Sequence, residues 1–189
     1  MKRVVTLLPE VCIIEPAVFE DQRGFFFESY QEKEFGEIGI TDRFVQDNHA
    51  ASSKGVLRGL HYQLKHPQAK LCRVILGEVL DVVVDIRRGS PFFGKWESVV
   101  LSARNRRQIY VPQGFAHGYL VLSDRAEFLY KCTDFYYPEH ERGVRWNDPM
   151  IGIDWGKRDP TLSVKDAGSP RLDEIAPSEL PEYVDRKTR

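Results

Sequence analysis

The stretch Leu80-Asp81-Val82-Val83-Val84-Asp85-Ile86 has the alternation of a β-strand that is buried on at least one face. Successive side chains of a strand point to opposite sides. The four even-numbered positions all carry aliphatic side chains, which suits a packed core. The odd-numbered positions carry Asp81, Val83 and Asp85, a mixture of charged and apolar groups that suits the inside of a barrel.

Short strand-like runs recur on both sides of this stretch, separated by turns rich in glycine, proline and asparagine. They cover residues 11–14, 24–30, 43–47, 56–63, 70–76, 79–87, 96–101, 108–111 and 118–122. Many short strands at this spacing favour an antiparallel sandwich or barrel. Helical patterns are confined to residues 31–38 and 177–184, so we expect no helix layer of the kind that an α/β fold needs.

The chain has 189 residues, a length that suits a single domain over residues 1–189. Its 42% hydrophobic and 29% charged residues argue against a disordered, collagen-like or disulfide-scaffold protein. A net charge of −1 gives no general attraction to nucleic acid or anionic lipid, so we expect neither as a partner. No apolar run suits a membrane span or a signal peptide, which predicts a cytoplasmic protein.

The three cysteines, Cys12, Cys72 and Cys132, lie among apolar neighbours and form no Cys-x-x-Cys pair. We therefore expect buried, reduced thiols and no disulfide or zinc site. After Trp155 the chain becomes polar and proline-rich, which predicts an irregular segment that wraps the barrel from about residue 156. Residues 185–189 are predicted to form a mobile tail.

The segment Pro112-Gln113-Gly114-Phe115-Ala116-His117 resembles the second half of the metal-binding signature of cupins, a superfamily of jelly-roll barrels. In metal-binding cupins the first half supplies His-x-His, and the second half continues to an Asn four residues after its His. Here Gln63 takes the place of the second His after His61, and Val121 takes the place of that Asn. The resemblance predicts a mainly β fold, an antiparallel jelly-roll (cupin-type) barrel with a few short helices. Since a catalytic metal needs at least about three protein ligands, we expect this barrel to hold no metal, and we expect no other cofactor.

Polar side chains concentrate around His61, with Arg58 and Gln63 nearby in sequence. On a regular strand His61 and Arg58 would face opposite ways, and a bulge at Gly59 would aim both inward. Lys70 belongs to a different run. Spacing alone leaves open whether Lys70 enters the barrel or remains a solvated edge residue.

A set of motifs that runs in order from about residue 12 to residue 170 resembles the family of dTDP-4-dehydrorhamnose 3,5-epimerases. The motifs are Asp21-x-Arg23-Gly24-x-Phe26-x-Glu28, Val45-Gln46-Asp47-Asn48, Gly55-Val56-Leu57-Arg58-Gly59-Leu60-His61, Lys70-Leu71-x-Arg73, Asp81-Val82-Val83-Val84-Asp85, Ser90-Pro91-x-x-Gly94, Pro112-x-Gly114-Phe115-Ala116-His117-Gly118, Tyr130-Lys131, Trp146-Asn147-Asp148 and Leu162-Ser163-x-Lys165-Asp166. The departures are Trp155-Gly156, where the family usually has Trp-Pro, and a tail after Leu172 without an expected counterpart. The resemblance implies a cofactor-independent enzyme of dTDP-L-rhamnose biosynthesis.

The implied reaction inverts C3 and C5 of dTDP-4-keto-6-deoxyglucose, whose C4 carbonyl acidifies the hydrogens on both carbons. Each inversion needs a base on one face, an acid on the other and a group that stabilises the enolate oxygen. The resemblance implies that His61 is the base and that Asp166 is its partner. It also implies that Tyr130 is the acid and that Lys70 is the cation near the enolate oxygen, with Asp81 expected to orient Lys70.

The resemblance further implies a set of substrate contacts. Arg23 and Arg58 would hold the pyrophosphate, because guanidinium groups match phosphate oxygens. One of Phe26, Phe135 and Tyr136 would stack on thymine. The remaining sugar and nucleotide contacts would be Glu28, Gln46, Asp47, Asn48, His117, Glu141 and Lys165. The relatives are dimers, so we expect a homodimer in which residues 23–26 reach the neighbouring site.

Other functions share part of this pattern. Sibling enzymes that epimerise only C3 or only C5, or that isomerise the 3,4-keto pair, reuse the same dyad and are not separated by motifs. A non-catalytic cupin would bind the sugar nucleotide without exchanging its hydrogens with solvent. A metal-dependent cupin oxygenase or isomerase would need the metal ligands that the two signature halves lack.

Overall fold

Antiparallel β-strands dominate the computed structural model, which describes residues 1–184. The strands are β1 (Lys2–Val4), β2 (Cys12–Glu15), β3 (Phe19–Asp21), β4 (Gly24–Phe26), β5 (Gln46–Ser53), β6 (Leu57–Gln63), β7 (Lys70–Leu76), β8 (Glu78–Asp85), β9 (Trp96–Ser102), β10 (Gln108–Val111), β11 (Phe115–Val121), β12 (Arg125–Cys132) and β13 (Glu141–Gly143). The α-helices are α1 (Glu32–Glu37) and α2 (Val164–Ala167), and short 3-10 turns cover Pro138–His140, Leu172–Glu174 and Pro177–Glu179.

Two sheets form the frame of the fold. The larger has six strands in the order β1-β2-β10-β7-β12-β5, and the smaller has five in the order β13-β6-β11-β8-β9. Strands β3 and β4 form a separate hairpin. All these pairings are antiparallel, and within residues 1–184 the two sheets do not join into one closed barrel. The predicted mainly β, jelly-roll fold class is confirmed.

The facing sides of the two sheets enclose one hydrophobic core. Phe128 of β12 and Val74 of β7 approach it from the larger sheet, and Val83 of β8 approaches it from the smaller sheet. The ring of Phe128 stacks on that of Tyr119 in β11, with centroids 4.2 Å apart. Burial of each such side chain stabilises the fold by roughly 1.5–3 kcal/mol, so this core fixes how the two sheets face each other.

Strand β8 contains the alternating stretch and is buried on both faces. Val82 and Val84 pack on the outer side of the smaller sheet in a cluster that includes Trp155. Val83 packs into the core between the sheets, and the neighbouring Asp81 is fully buried. The predicted division into an apolar face and a mixed inner face is therefore confirmed.

Helices are few and short among the described residues. The helix predicted at residues 31–38 is α1, whose first turn is capped because the side chain of Gln31 accepts the N–H of Glu34 at 3.0 Å. Of the helical pattern at residues 177–184, the structure forms only the 3-10 turn Pro177–Glu179. No helix in residues 1–184 has the length and apolar character that a membrane crossing requires.

The segment after Trp155 runs along the smaller sheet with little regular structure. The N–H of Leu57 donates to the carbonyl of Thr161 at 3.0 Å, and the N–H of Thr161 donates to the carbonyl of Gly55 at 2.8 Å. Farther along, the Tyr62 hydroxyl donates to the carbonyl of Glu179 at 2.8 Å. The single-domain organisation stays a prediction, and the tail at residues 185–189 lies outside the described residues.

Several strand predictions differ from the structure. The short strands β1, β3 and β13 were not predicted, and the run predicted at residues 118–122 begins at Phe115. The run predicted at residues 24–30 ends at Phe26. The run predicted at residues 43–47 begins at Gln46 and continues to Ser53, and its polar composition hid this edge strand from the hydrophobic pattern. Strand Arg125–Cys132 was not among the predicted runs, although its even-numbered positions carry Ala, Phe, Tyr and Cys.

Substitution of Gly59 tests how closely β6 and β11 approach. Gly59 has φ +113°, and an added Cβ would lie 2.6 Å from the carbonyl oxygen of His117 and 2.7 Å from Cα of Gly118. We expect Gly59→Ala to lower the free energy of unfolding by about 2–4 kcal/mol, measured by urea denaturation. Gly89→Ala is the control, because Gly89 has φ +84° with no atom within 4 Å of the added Cβ. Its loss should be about 1 kcal/mol, and equal losses would contradict the proposed close approach.

Candidate active site

A cavity of about 750 Å³ opens between the two sheets and contains most of the predicted site residues. Strands from both sheets and the segment around α2 line it. The predicted site residues in its wall are Gln46, Asn48, Arg58, His61, Lys70, His117, Tyr130, Tyr136, Glu141, Lys165 and Asp166. These residues are far apart in sequence, so the sheet topology is what brings them together.

A hydrogen bond between His61 and Asp166 lies in the wall of the cavity. Nε2 of His61 is 2.6 Å from Oδ1 of Asp166, whose side chain is buried. Burial alone would raise the pKa of the Asp166 carboxyl, but the hydrogen bond and charge of His61, with help from the N–H of Gly59, hold that pKa below its usual value. The carboxylate form is therefore favoured beside the imidazole.

Helix α2 sets the position of Asp166. The Ser163 hydroxyl oxygen accepts the N–H of Asp166 at 3.0 Å and so caps the first turn. Serine is one of the favoured residues at this position because its side chain replaces a missing helical acceptor. Ser163 lies three residues before Asp166, and this spacing is the signal in the sequence that predicts the cap.

A second carboxylate, Glu141, lies beside the other ring nitrogen of His61. Oε1 of Glu141 is 4.0 Å from Nδ1 of His61, and its Oε2 binds the Lys165 ammonium and accepts the Tyr136 hydroxyl at 2.5 Å. Burial opposes ionisation of Glu141, but these two hydrogen bonds lower its pKa below the usual value. The bond to Glu141 also raises the pKa of Tyr136 to about 12. The imidazole therefore lies between two ionised carboxylates.

Tyr130 and Lys70 approach the cavity from the opposite sheet. Tyr130 is on β12 and Lys70 on β7, both in the six-stranded sheet, whereas His61 is on β6 in the five-stranded sheet. The Lys70 ammonium lies 5.9 Å from the centre of the Tyr130 ring. Burial raises the pKa of the Tyr130 phenol well above its usual value, so the phenol keeps its proton. A flat substrate between the sheets would meet imidazole on one side and phenol on the other.

The irregularity predicted at Gly59 is present. The pairing of β11 with β6 shifts register between His117 and Tyr119, which oppose His61 and Arg58. Because of this shift, His61 and Arg58 both line the cavity although they are three positions apart on one strand.

Asp81 contacts His117, not Lys70 as expected. Both carboxylate oxygens of Asp81 lie close to Nε2 of His117, at 2.9 and 3.0 Å, and both residues are buried. The reason is topological, because β8 is the neighbour of β11 in the smaller sheet whereas Lys70 belongs to the larger sheet.

Several predicted contacts lie outside the cavity of this chain. Asp47 faces away because it alternates with Gln46 and Asn48 on β5, and it pairs with the Lys131 ammonium at 2.9 Å. Phe135 is 55% exposed beside the cavity. Arg23, Phe26 and Glu28 are exposed on or after the β3–β4 hairpin.

The cavity wall also contains residues to which the sequence analysis gave no role. Phe128 and Tyr119 form its apolar inner part, and Gln63 and Gln68 lie along its polar rim. The alternation of Phe128 with Tyr130 on β12 is the signal that could have placed Phe128 in the wall. No sequence pattern places Gln63 and Gln68 in the wall, because their side-chain amides donate to main-chain atoms of distant loops.

The three cysteines are buried, and no disulfide joins them. Burial raises the pKa of each thiol, most strongly for Cys72. The burial of the three thiols agrees with the prediction, and their reduced state stays a prediction. Within residues 1–184, no group of three or more His, Cys, Asp or Glu side chains has the arrangement of a metal site.

A family model described as dTDP-4-dehydrorhamnose 3,5-epimerase matches residues 5–174. The chain belongs to this family. It is 58% identical over 168 residues to the dTDP-4-dehydrorhamnose 3,5-epimerase of Pseudomonas aeruginosa, an alignment that covers 88% of this chain and 93% of that protein.

Solved structures of related enzymes share the fold of this epimerase. The dTDP-6-deoxy-D-glucose-3,5-epimerase of Legionella pneumophila, solved in complex with dTDP-4-keto-L-rhamnose, is 52% identical with a TM-score of 0.94 over 97% of this chain and 98% of that one. A 3'-monoepimerase of Streptomyces bikiniensis, solved in complex with dTDP-quinovose, is 34% identical to this chain, with a TM-score of 0.89. The alignment covers 95% of this chain and 92% of that one. The fold therefore accommodates both double and single epimerases.

The pH dependence of stability tests the electrostatics of the dyad in this epimerase. A carboxyl whose pKa is lowered on folding stabilises the fold above its unfolded pKa, about 3.9 for Asp, and this contribution is lost as the pH falls through the folded pKa. Asp166→Asn should therefore be less stable than the wild type near pH 7, and the gap should narrow under acid conditions. Urea denaturation from pH 7 down to pH 3 measures the gap.

Asp124→Asn is the control for this series, because the Asp124 side chain is 99% exposed. It should track the wild type at every pH. A gap between the wild type and Asp166→Asn that stays constant or widens on acidification would contradict the proposed charge stabilisation.

Proposed function

We propose that this member of the family epimerises dTDP-4-dehydro-6-deoxy-D-glucose at C3 and C5 to give dTDP-4-dehydro-L-rhamnose, in dTDP-L-rhamnose biosynthesis. The observation that carries the proposal is the approach of His61 and Tyr130 to one cavity from opposite sheets. Inversion at a carbon needs proton removal on one face and proton delivery on the other. The names of the related enzymes support the same substrate and product.

In the proposed mechanism His61 removes a proton from C3 or C5 of the 4-keto sugar. The electron pair of the broken C–H bond forms an enolate with the C4 carbonyl, and the Lys70 ammonium stabilises the charge on its oxygen. Asp166 stabilises the imidazolium that results. Tyr130 then donates its hydroxyl proton to the opposite face of the same carbon, which completes the inversion.

The protons balance through solvent at the end of each inversion. The imidazolium of His61 releases one proton, and the Tyr130 phenolate takes one up. The raised pKa of Tyr130 keeps the phenol protonated until it donates, and the phenolate that results regains a proton readily from solvent. Because each step transfers only protons, the proposed chemistry needs no redox cofactor or metal ion.

The rest of the cavity is assigned to substrate binding. We place the pyrophosphate at Arg58 and the sugar hydroxyls at Gln46, Asn48 and His117. Thymine stacks on the ring of Tyr136 or Phe135, which are half-exposed at the rim. Glu141 and Lys165 form an ion pair beside His61 and complete the sugar site.

The active unit in this proposal is a homodimer. The β3–β4 hairpin exposes 67% of Phe19, 57% of Phe25 and 67% of Phe26. Three exposed aromatic rings on one short hairpin indicate a surface that is covered in the assembly. Residues 23–26 would reach the neighbouring site, with Arg23 at its pyrophosphate. Glu28 remains a proposed nucleotide contact, whereas Asp47 does not, because it faces away from the cavity and pairs with Lys131. We place the enzyme in the cytoplasm.

Solvent exchange tests the base assignment and separates double from single epimerisation. In D2O the wild type should incorporate deuterium at both C3 and C5, as followed by NMR of the sugar. His61→Asn should lose exchange at both carbons, because one base on one face serves both. His49→Asn is the control, since His49 pairs with Glu127 on the outer face of β5.

Wild-type exchange at only one carbon would favour the single-epimerase alternative that the Streptomyces relative represents. Exchange retained by His61→Asn at either carbon would assign that proton transfer to another residue. Binding of the nucleotide sugar by the wild type with no exchange at all would favour a non-catalytic binding protein.

Removal of the Tyr130 hydroxyl tests the acid assignment. Tyr130→Phe keeps the ring but deletes the donor, while His61 can still remove and return protons on its own face. We expect deuterium exchange to continue while formation of the inverted product falls by roughly 100- to 10,000-fold. Tyr183→Phe, on the C-terminal segment, should keep wild-type product formation. Full epimerisation by folded Tyr130→Phe would limit Tyr130 to packing.

A further inference from the structure

Gln63 is a buried amide at the position where metal-binding cupins carry the second histidine of their His-x-His pair. Its side-chain NH2 donates to the carbonyl of His66 and, at 3.1 Å, to the carbonyl of Phe135. Its side-chain oxygen accepts the N–H of Tyr137 at 2.9 Å. The amide therefore joins the loop after β6 to the loop after β12, and only 7% of the residue is exposed.

The two contacts to the second loop lie on either side of Tyr136. Phe135 and Tyr136 are the half-exposed rings at the rim of the cavity, and Tyr136 also reaches Glu141 through its hydroxyl. A second amide, Gln46, accepts the N–H of Tyr136 at 3.1 Å. The main chain at residues 135–137 is thus held by side chains of β6 and β5, the strands that also carry His61 and Asn48.

These contacts are directional and hard to replace. If the Gln63 amide is lost, the carbonyl of Phe135 and the N–H of Tyr137 lose their protein partners, which favours a movement of the loop toward water. Because the contacts are to the main chain, they determine where the loop lies and leave its rings free to contact a ligand. The ring of His66 adds to the link by stacking on Tyr137, with centroids 4.4 Å apart.

We propose that Gln63 is a positioning residue that fixes residues 135–137 for binding of the thymidine nucleotide, with no part in the proton transfers. This inference rests on the proposed function, because it uses Phe135 or Tyr136 as the stacking platform for thymine. Gln63 occupies the position that carries a metal-binding histidine in other cupins, and in this chain its role would be to anchor residues 135–137.

The test compares Gln63→Met, which has a similar length and no hydrogen-bonding amide, with the wild type. Calorimetric titration with dTDP should give an affinity roughly tenfold or more weaker for the variant. With the dTDP-4-keto sugar, KM should rise similarly while kcat changes much less, because His61, Asp166 and Tyr130 keep their contacts. Asn105→Leu is the control, since Asn105 ties a loop between β9 and β10 through equivalent amide contacts.

Gln63→Glu provides a second variant that keeps an acceptor and loses the donors. Its carboxylate would face the two carbonyl oxygens of His66 and Phe135, so dTDP binding should be weak near pH 8. Protonation of the introduced carboxylate restores one donor. The affinity of this variant for dTDP, relative to that of the wild type at the same pH, should therefore recover as the pH falls. A purely structural role would lower stability without this pH-dependent recovery of binding.

Two results separate this inference from the proposed function. A wild type that binds dTDP and Gln63 variants that bind it equally well would overturn the positioning role while leaving the proposed function intact. A wild type that fails to bind dTDP at all would overturn the proposed function and the positioning role with it.

Discussion

The hydrogen bond between His61 and Asp166 joins parts of the chain that lie 105 positions apart. It can form only if the irregular segment after β13 returns along the smaller sheet and presents α2 at the cavity. The paired contacts of Thr161 with Gly55 and Leu57 hold this return, and Trp155 and Leu172 bury its apolar side chains on the outer face of the sheet. The proposed base is therefore oriented by packing that lies outside the cavity.

The second condition for the chemistry is the separation of the two sheets. Strand alternation sends Phe128 and Val83 into the core, and along β12 the same alternation sends Tyr130 into the cavity. The core thus sets the distance between the sheets, and in the proposed mechanism the sugar ring lies in this gap, between the imidazole of His61 and the phenol of Tyr130. The buried pair of Asp81 with His117 supplies a rigid polar wall on the side of His61.

How much of the fold can be predicted from the sequence depends on whether the signal for each element lies in neighbouring residues. Period-two patterns identified β7 and β10 with their correct ends, because both strands have apolar positions at regular spacing. The polar edge strand β5 lacked that pattern. Asp47 could have been placed outside from alternation alone, since adjacent residues of a regular strand cannot all face one cavity.

Other features depend on tertiary structure that no local pattern contains. The partner of Asp81 is determined by the order β6-β11-β8 in the smaller sheet, so the sequence alone could not assign it to His117. The contacts of Gln63 are to main-chain atoms of loops that lie as far as 74 positions away. Family resemblance supplied the pairing of His61 with Asp166, which strand spacing could not have provided.

A crystal structure with a non-reacting dTDP-6-deoxyhexose that has a hydroxyl group at C4 is the most direct test of the account. We predict that the sugar ring lies between the sheets, with a His61 ring nitrogen about 3–3.5 Å from C3 or C5 on one face. The Tyr130 hydroxyl should approach the same carbon from the other face, with Lys70 near the C4 oxygen. A bound sugar that presents the same face to both His61 and Tyr130 would contradict the account.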